Sequence, residues 1–185
     1  LEGGREYDSV DEMAMEIRGR GNSTWFVHPK KPYQMKLESK RDLFGMLEDK
    51  KWLFLAEYSD KTLVRNHLAF ALGHRTTLTW TPSGHFAEVF VNGEHDGFYH
   101  ITEKVEDGSN RVDIGDTGFL LEIDQPDRLD PDDVSFQTPT YLINIKEPGL
   151  AYSDPEFAQV RQHINEFETV PVSYTHLTLP TRSTV

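Results

Sequence analysis

A short polar segment between two predicted β-strands carries the residue types best suited to binding phosphate. Residues 18–23 include two arginines and two glycines. Glycine lets the backbone adopt positive φ and approach a ligand closely, and exposed N–H groups in such a loop form an anion site to which arginine adds charge and paired donors. The predicted phosphate-binding residues are Arg18, Gly19, Arg20, Gly21, Asn22 and Ser23. The alternative is a tight turn formed by Asn22 and Ser23.

The strands on either side are predicted from alternating apolar and polar residues in segments 13–18 and 32–38. The apolar faces consist of Met13, Met15 and Ile17 in the first strand, and of Tyr33, Met35 and Leu37 in the second. Arg18 and Lys36 therefore both lie on the polar faces of their strands. This arrangement makes Lys36 a second candidate cation for a phosphate group.

The elements that follow are predicted from apolar runs and turn residues. Residues 50–58 form a buried strand or a short helix, and a helix with Ser59 as its N-cap then ends before Gly73. Asn92-Gly93 predicts a hairpin over residues 86–102. Strands at 118–124 and 140–146 flank an acidic connection at 125–134, and a helix opens at Asp154–Pro155.

Composition excludes several classes of function. The chain has 185 residues and a net charge of −12, so we expect one domain or part of one, and no general binding to nucleic acid. It has no cysteine, which excludes thiolate catalysis and cysteine metal sites. The histidines are scattered, so we predict no metal site. No apolar run approaches the length of a membrane span, and we predict no membrane insertion.

Both ends of the sequence suggest an excerpt from a longer protein. The first residues are polar and acidic, without an initiating methionine or a signal peptide. Residues 171–185 contain no acidic side chain, and PVSYTHLTLPT is similar to a translated sequencing adapter. We predict that this tail is non-native and exclude it from the fold; the alternative is a natural strand-like tail.

The predicted order is strand, glycine-containing loop, strand with lysine, helix and β-hairpin. A protein-kinase N-lobe has this order, with the loop over the phosphates and the lysine paired to them. We therefore predict an α+β fold, an atypical kinase-like N-lobe with an antiparallel sheet and a packed helix. It spans about residues 13–103, and the beginning of a C-lobe spans residues 104–170.

Several motifs of this sequence resemble those of one family and occur in the order that the family has. They are IRGRGNSTW, KKPYQMKLE, LFGM, KKWLFLAEYSDKTLVRN, VFVNGEHDGFYHITEKVE, NRVDI and GFLLEID. Together they resemble the CotH (spore-coat protein H) kinase family over about residues 13–167. The resemblance implies a bacterial, secreted, cell-surface or spore-coat protein. It also implies ATP, Mg²⁺ or another divalent cation, and transfer of phosphate to Ser or Thr of coat or surface proteins.

The resemblance also assigns site residues. Residues 18–23 would cover the phosphates, Lys36 would pair with them, and Arg65 and Asn66 would face the site from the helix. Glu103 lies where a hinge to the second lobe would start. The alternatives without a role in binding are that Lys36 is a solvated lysine and that Arg65 and Asn66 are ordinary polar residues of the surface.

The sequence departs from the kinase pattern in two respects. The predicted helix has no glutamate to pair with the lysine; the alternatives are that Glu57 or Asp60 just before it serves instead, or that the family does without this pair. The catalytic and metal-binding aspartates are expected beyond the helix at Asp154, and the family's Asp segments do not occur before Val170. We therefore expect this chain alone to be inactive. The competing class of function is a non-catalytic binding module for surface or coat assembly.

Overall fold

Antiparallel strands with alternating apolar residues form the framework of this protein. The computed structural model describes residues 12–169. These residues belong to two compact units that divide between Gly115 and Asp116. Each unit combines an antiparallel sheet with helices, which confirms the predicted α+β fold.

The first unit contains five strands and two helices in the order that the sequence predicts for a kinase-like N-lobe. In chain order they are β1 (Met15–Gly19), α1 (Ser23–Val27), β2 (Tyr33–Arg41), β3 (Asp49–Leu55), α2 (Arg65–Gly73), β4 (Gly84–Val91) and β5 (Glu94–Glu103). The sheet order is β1-β2-β3-β5-β4, with every neighbouring pair antiparallel. The ambiguous apolar run at 50–58 is therefore a strand, β3.

The two faces of this sheet have different partners. One face buries the apolar core, whose members are Met35, Leu37, Met46, Trp52, Phe54, Ala56, Tyr99 and Ile101. The opposite face includes His100 and Phe86, which are register partners with rings stacked 4.5 Å apart. The rings of His67 and Phe70 in α2 lie 5.8 and 5.6 Å from His100. Helix α2 therefore packs on the side away from the core, which we call the α2 face.

The start of α2 differs from the predicted one. Ser59 is not its N-cap, because the helix begins only at Arg65 and a turn precedes it. The carboxylate of Asp60 organises this turn, with Oδ1 accepting from the backbone N–H and hydroxyl of Thr62 and Oδ2 from the N–H of Arg65 at 2.8 Å. A carboxylate offers two acceptor oxygens, so Asp60 satisfies donors on both sides of the turn, which a single serine hydroxyl cannot do.

The end of α2 also differs, since Gly73 is the last helical residue and not the residue that follows the helix. The absence of a side chain there serves packing: a Cβ on Gly73 would lie 2.7 Å from Cγ2 of Thr81. The hairpin prediction is confirmed. Asn92 and Gly93 have φ of 53° and 83°, as a type I′ turn requires.

The second unit is a three-stranded sheet covered by one helix. Its elements are β6 (Leu120–Asp124), a 3-10 turn (Pro126–Arg128), β7 (Val134–Gln137), β8 (Leu142–Glu147) and α3 (Pro155–Thr169), with the sheet order β6-β8-β7. The core is formed by Phe136, Ile143 and Ile145 from the sheet and by Phe157 and Val160 from α3. Strand β7 was missed, because the acidic connection was expected to lead directly to one strand.

The segment after β5 stays attached to the first unit. The Asn110 amide donates to the carbonyl of Glu48 at 3.0 Å, and the Arg111 guanidinium donates to the carbonyl of Leu47 at 3.1 Å. The lobe boundary predicted after residue 103 stays a prediction. The proposed non-native tail lies outside the described residues.

We predict that Asp60 stabilises the fold in a pH-dependent way. Hydrogen bonds from Thr62 and Arg65 lower the pKa of Asp60 to about 2, below the value of about 3.9 in an unfolded chain. Its contribution is therefore complete above about pH 4 and is lost as the pH falls towards 2. Asp60→Asn should lower the melting temperature at pH 7, and the difference from wild type should shrink in acid.

Thermal unfolding followed by circular dichroism between pH 7 and pH 3 measures this effect. Asp132→Asn is the matched control, because the side chain of Asp132 is exposed. A difference between Asp60→Asn and wild type that stays constant over this pH range would show that the ionised carboxylate is not the stabilising group.

Candidate nucleotide-binding site

The α2 face of the first sheet gathers the predicted nucleotide-binding cations. Arg18 lies opposite Gln34, and Lys36 lies between Glu16 and Lys51 in the ladders. Directly opposed residues of antiparallel strands project from the same face. These residues alternate with Met35 and Trp52 of the core, so Arg18, Lys36 and Lys51 lie on the α2 face.

Arg20 continues this stripe beyond the end of β1. It follows Arg18 by two positions, and its N–H donates to the carbonyl of Pro32 at 3.1 Å. Arg20 lines a cavity of about 230 Å³ whose walls are Arg20, Thr24, His28, Lys30, Pro32, Leu55, Ala56, Glu57, Tyr58, Ser59 and Asn66. The segment between β1 and β2 thus faces the turn between β3 and α2 across this cavity.

The guanidinium of Arg20 is the clearest anion-binding group of the site. It is partly buried, and desolvation lowers its pKa. Among residues 12–169, its side chain has no hydrogen bond or ion pair with another group. Removing a charge from water without a partner costs free energy. An anion in the cavity would remove that penalty, because arginine binds phosphate through paired, charge-assisted hydrogen bonds.

Lys36 and Arg18 lie outside this cavity. The Lys36 ammonium is 3.8 Å from the Glu16 carboxylate, and half of its side chain (50%) is exposed. It lines a separate cavity of about 330 Å³ together with Lys50 and others. The Arg18 guanidinium donates to Oε1 of Gln34 at 3.3 Å. Both cations are exposed and weakly held, so they remain accessible to a ligand on the α2 face.

The two glycines of the predicted phosphate loop have different roles. Gly21 has φ of +83°, as the loop prediction requires. Gly19 lies in β1, and a Cβ on it would overlap the indole ring of Trp25. The close approach at Gly19 is therefore made by a side chain of the protein.

The rest of the segment is also more ordered than an open loop. The carbonyl of Asn22 accepts from the N–H groups of Trp25 and Phe26 at 2.9 and 3.2 Å. Ser23 is the first residue of the five-residue helix α1. Residues 18–23 are therefore not one continuous loop, because Arg18 and Gly19 belong to β1 and Ser23 begins α1.

The two predicted residues of α2 behave differently. Asn66 lines the Arg20 cavity. Arg65 does not: its side chain is 80% exposed, and its Nε lies 3.5 Å from the Asp60 carboxylate. The structure therefore brings Arg20 and Asn66 together and leaves Arg65 at the surface.

Glu103 holds the end of β5 in place. It is 3% exposed; Oε1 accepts from Nη1 of Arg111 at 3.0 Å, and Oε2 accepts from the N–H of Ser83 at 2.8 Å. Burial raises its pKa, whereas the Ser83 N–H and Arg111 oppose that change. The Arg111 guanidinium in turn lies 5.0 Å from the ring centre of Trp52. The carboxylate thus already has two partners.

Lys30 is a site residue that the sequence analysis did not select. Its ammonium donates to the carbonyls of Ala56, at 2.9 Å, and Phe98, and lies 4.1 Å from the ring centre of Tyr99. It therefore fastens the β1–β2 segment to the residue that follows β3 and to the middle of β5. The only sequence signal for Lys30 is the pair of lysines at the start of KKPYQMKLE. This pair does not belong to a periodic pattern, so it does not indicate where the Lys30 side chain lies.

Comparison with known proteins identifies the family. The family model described as CotH kinase protein matches residues 17–176, more than half of the chain. The chain belongs to the CotH kinase family. A search of curated proteins finds no match. Family membership supports a kinase-like function in general, and the match covers the whole Arg20 cavity.

Two features are absent from the described residues. No helix within residues 12–169 is long and apolar enough to cross a membrane. The same residues contain no group of three or more His, Asp or Glu side chains that could hold a metal ion. The groups that hold the divalent metal of a CotH kinase are therefore not assigned to positions in this part of the chain.

We predict that Gly19→Ala destabilises the protein by about 1–3 kcal/mol, because the new methyl group overpacks against Trp25. Chemical denaturation measures the loss. Gly149→Ala is the control, since a Cβ there meets no atom within 4 Å. If Trp25 is the obstacle, Gly19→Ala should cost much less in a Trp25→Ala background. An equal cost in both backgrounds would point to another cause.

We predict that Glu103→Ala lowers stability by about 3–5 kcal/mol, because it removes the closer of the two carboxylates beside the buried Arg111 guanidinium and leaves only Asp49, at 4.0 Å. Urea unfolding measures this loss, and Glu94→Ala at an exposed position of β5 is the control. A Glu103→Ala protein as stable as wild type would show that the pair with Arg111 does not hold the end of β5.

Proposed function

We propose that this chain is part of an ATP- and divalent-metal-dependent kinase that phosphorylates Ser or Thr of other proteins. Membership of the CotH kinase family supports the reaction class. The observation that supports a nucleotide site in this chain is the guanidinium of Arg20, which is partly buried in a cavity of about 230 Å³ and has no hydrogen-bond or ion-pair partner among the described residues. Substrates in the bacterial spore coat or at the cell surface, and a secreted or surface location, are part of the proposal.

Strand directions suggest how a nucleotide would lie. In the order β1-β2-β3-β5 all neighbours are antiparallel, so the start of β1 and the end of β5 lie at the same end of the strands. The β1–β2 segment with Arg20 lies at the opposite end of the strands. We place the base near the end of β5 and the phosphates near Arg20, with Lys36 and Arg18 on the face between them. The backbone that follows β5 is then the part available to the base.

The chemical contribution of these residues would be positioning and charge neutralisation. Phosphoryl transfer spreads negative charge over the transferred group, and fixed cations stabilise that charge without forming covalent bonds. Arg20 would bind phosphate oxygens, and Lys36 and Arg18 would add positive charge along the α2 face. When bound, the divalent metal would supply further neutralisation of the phosphate charge. Its ligands and the base that accepts the substrate's proton are not assigned among the described residues.

We predict that saturating ATP stabilises the chain and that Arg20→Ala removes most of this effect. Ligand at 100 times Kd adds about 2.7 kcal/mol to the free energy of unfolding. Lys36→Ala and Arg18→Ala should each reduce the stabilisation, since both are accessible cations of the same face. Differential scanning fluorimetry with MgATP measures the shift, and exposed Arg75 provides the control variant Arg75→Ala.

The outcomes separate the two classes of function. A shift that survives in all three variants would place the nucleotide elsewhere. No shift in the wild-type protein would overturn nucleotide binding and favour a non-catalytic module whose Arg20 binds an acidic partner. Magnesium-dependent transfer of labelled γ-phosphate tests the chemistry separately, and turnover by this chain would contradict the expectation that it is inactive alone.

A further inference from the structure

Glu57 connects α2 to the sheet at the wall of the Arg20 cavity. It follows β3 in a backbone conformation with φ of 49°. Its two carboxylate oxygens accept from Nδ2 of Asn66 at 2.9 and 3.2 Å. Oε1 also lies 3.4 Å from Nδ1 of the fully buried His100, and the Glu57 side chain is only 6% exposed. One buried carboxylate thus contacts both the helix and β5.

This contact determines which way the Asn66 amide is turned. An asparagine amide donates through Nδ2 and accepts through Oδ1, whereas an ionised carboxylate only accepts. Asn66 must therefore direct Nδ2 to Glu57. Its Oδ1 has no hydrogen-bond partner among residues 12–169, and Asn66 lines the cavity. The group that Asn66 can still offer to a ligand is an acceptor.

An acceptor does not suit a phosphate group, whose oxygens are themselves acceptors, but it suits a hydroxyl group. Arg20, in the same cavity, supplies donors for phosphate. A nucleotide carries both kinds of group on neighbouring parts, the phosphates and the ribose.

We propose that Glu57 is a positioning residue that orients Asn66 to accept a hydrogen bond from a ribose hydroxyl of the nucleotide whose phosphates bind Arg20. This inference rests on the proposed function. It gives Asn66, which the resemblance places only as a residue facing the site, the specific role of a ribose contact, and it makes Glu57 a determinant of ligand specificity.

Three ligands test the proposal by isothermal titration calorimetry on the full 185-residue chain. ATP has phosphates and ribose hydroxyls, 2′,3′-dideoxy-ATP lacks both hydroxyls, and inorganic tripolyphosphate has no sugar. Asn66→Ala should weaken ATP binding about five-fold, the effect of losing one hydrogen bond, and leave the other two affinities unchanged. Arg20→Ala should weaken all three.

The Glu57 variants test the positioning role. Glu57→Ala should reduce the preference for ATP over 2′,3′-dideoxy-ATP to the same extent as Asn66→Ala. Glu57→Gln should reduce it by a smaller factor, because a neutral amide can pair with either end of Asn66. If Glu57→Ala does not fold, Glu57→Gln carries the test. Asn165→Ala in α3 is the control for asparagine removal.

Each result decides between the ideas. Equal losses for ATP and tripolyphosphate in Asn66→Ala would overturn the ribose contact while leaving the nucleotide site intact. A Glu57→Ala protein that melts earlier but keeps its preference for ATP would show that Glu57 is only structural. A wild-type chain that binds none of the three ligands would overturn the proposed function itself.

Discussion

The register of the β2-β3-β5 ladder is the constraint on which the first unit depends. Trp52 is fully buried and lies between Met35 and Glu103 in neighbouring strands. A strand has a side-chain period of two, so a shift of one residue would move the whole apolar set to the other face. The same shift would move Lys36 and Lys51 into the core. Burial of Trp52 therefore also determines that the cations lie on the α2 face.

Polar groups complete this arrangement at both ends of the sheet. At one end, Glu103 and Arg111 pair beside Trp52 and hold the segment that follows β5. At the other end, Lys30 joins the β1–β2 segment to Ala56 and Phe98, and Glu57 joins α2 to His100 of β5. Buried or partly buried charges of this kind are expensive to leave unpaired. Arg20 differs from them, because its charge is partly desolvated and has no partner in the part of the chain that the structure describes, so a ligand would complete the site.

The sequence predicted the sheet better than the site. Alternation in residues 32–38 and the Asn92-Gly93 turn are local signals, and both indicated the structure that is observed. The predicted start of α2 is wrong. The Asp60 carboxylate forms the hydrogen bonds of the turn that precedes the helix, and residue type alone does not show that Asp60 is preferred to Ser59 for this role. Gly19 was assigned to ligand binding, although its partner is Trp25, a contact that depends on the short helix α1.

The cavity itself could not be predicted, because its walls come from two segments that lie more than 20 residues apart in the sequence and meet only in the folded chain. Arg20 was selected from its glycine neighbours and Asn66 from the family motif. Their proximity, and the orientation that Glu57 gives Asn66, appear only in the folded chain. Lys30 was passed over because a lysine next to prolines looks like an ordinary loop residue, and its role depends on the carbonyls of Ala56 and Phe98.

The charge of the protein places a further requirement on this site. A net charge of −12 repels a nucleotide at long range, but salt screens such repulsion beyond about 8–10 Å. Binding must therefore rely on cations that meet the ligand within that distance, in surroundings where water is partly excluded. Arg20 meets this condition because it lies in a cavity, whereas Lys36 and Arg18 are solvated and act weakly on their own. Under the proposed function, short-range pairing at Arg20, and not the overall field, would supply the anion affinity.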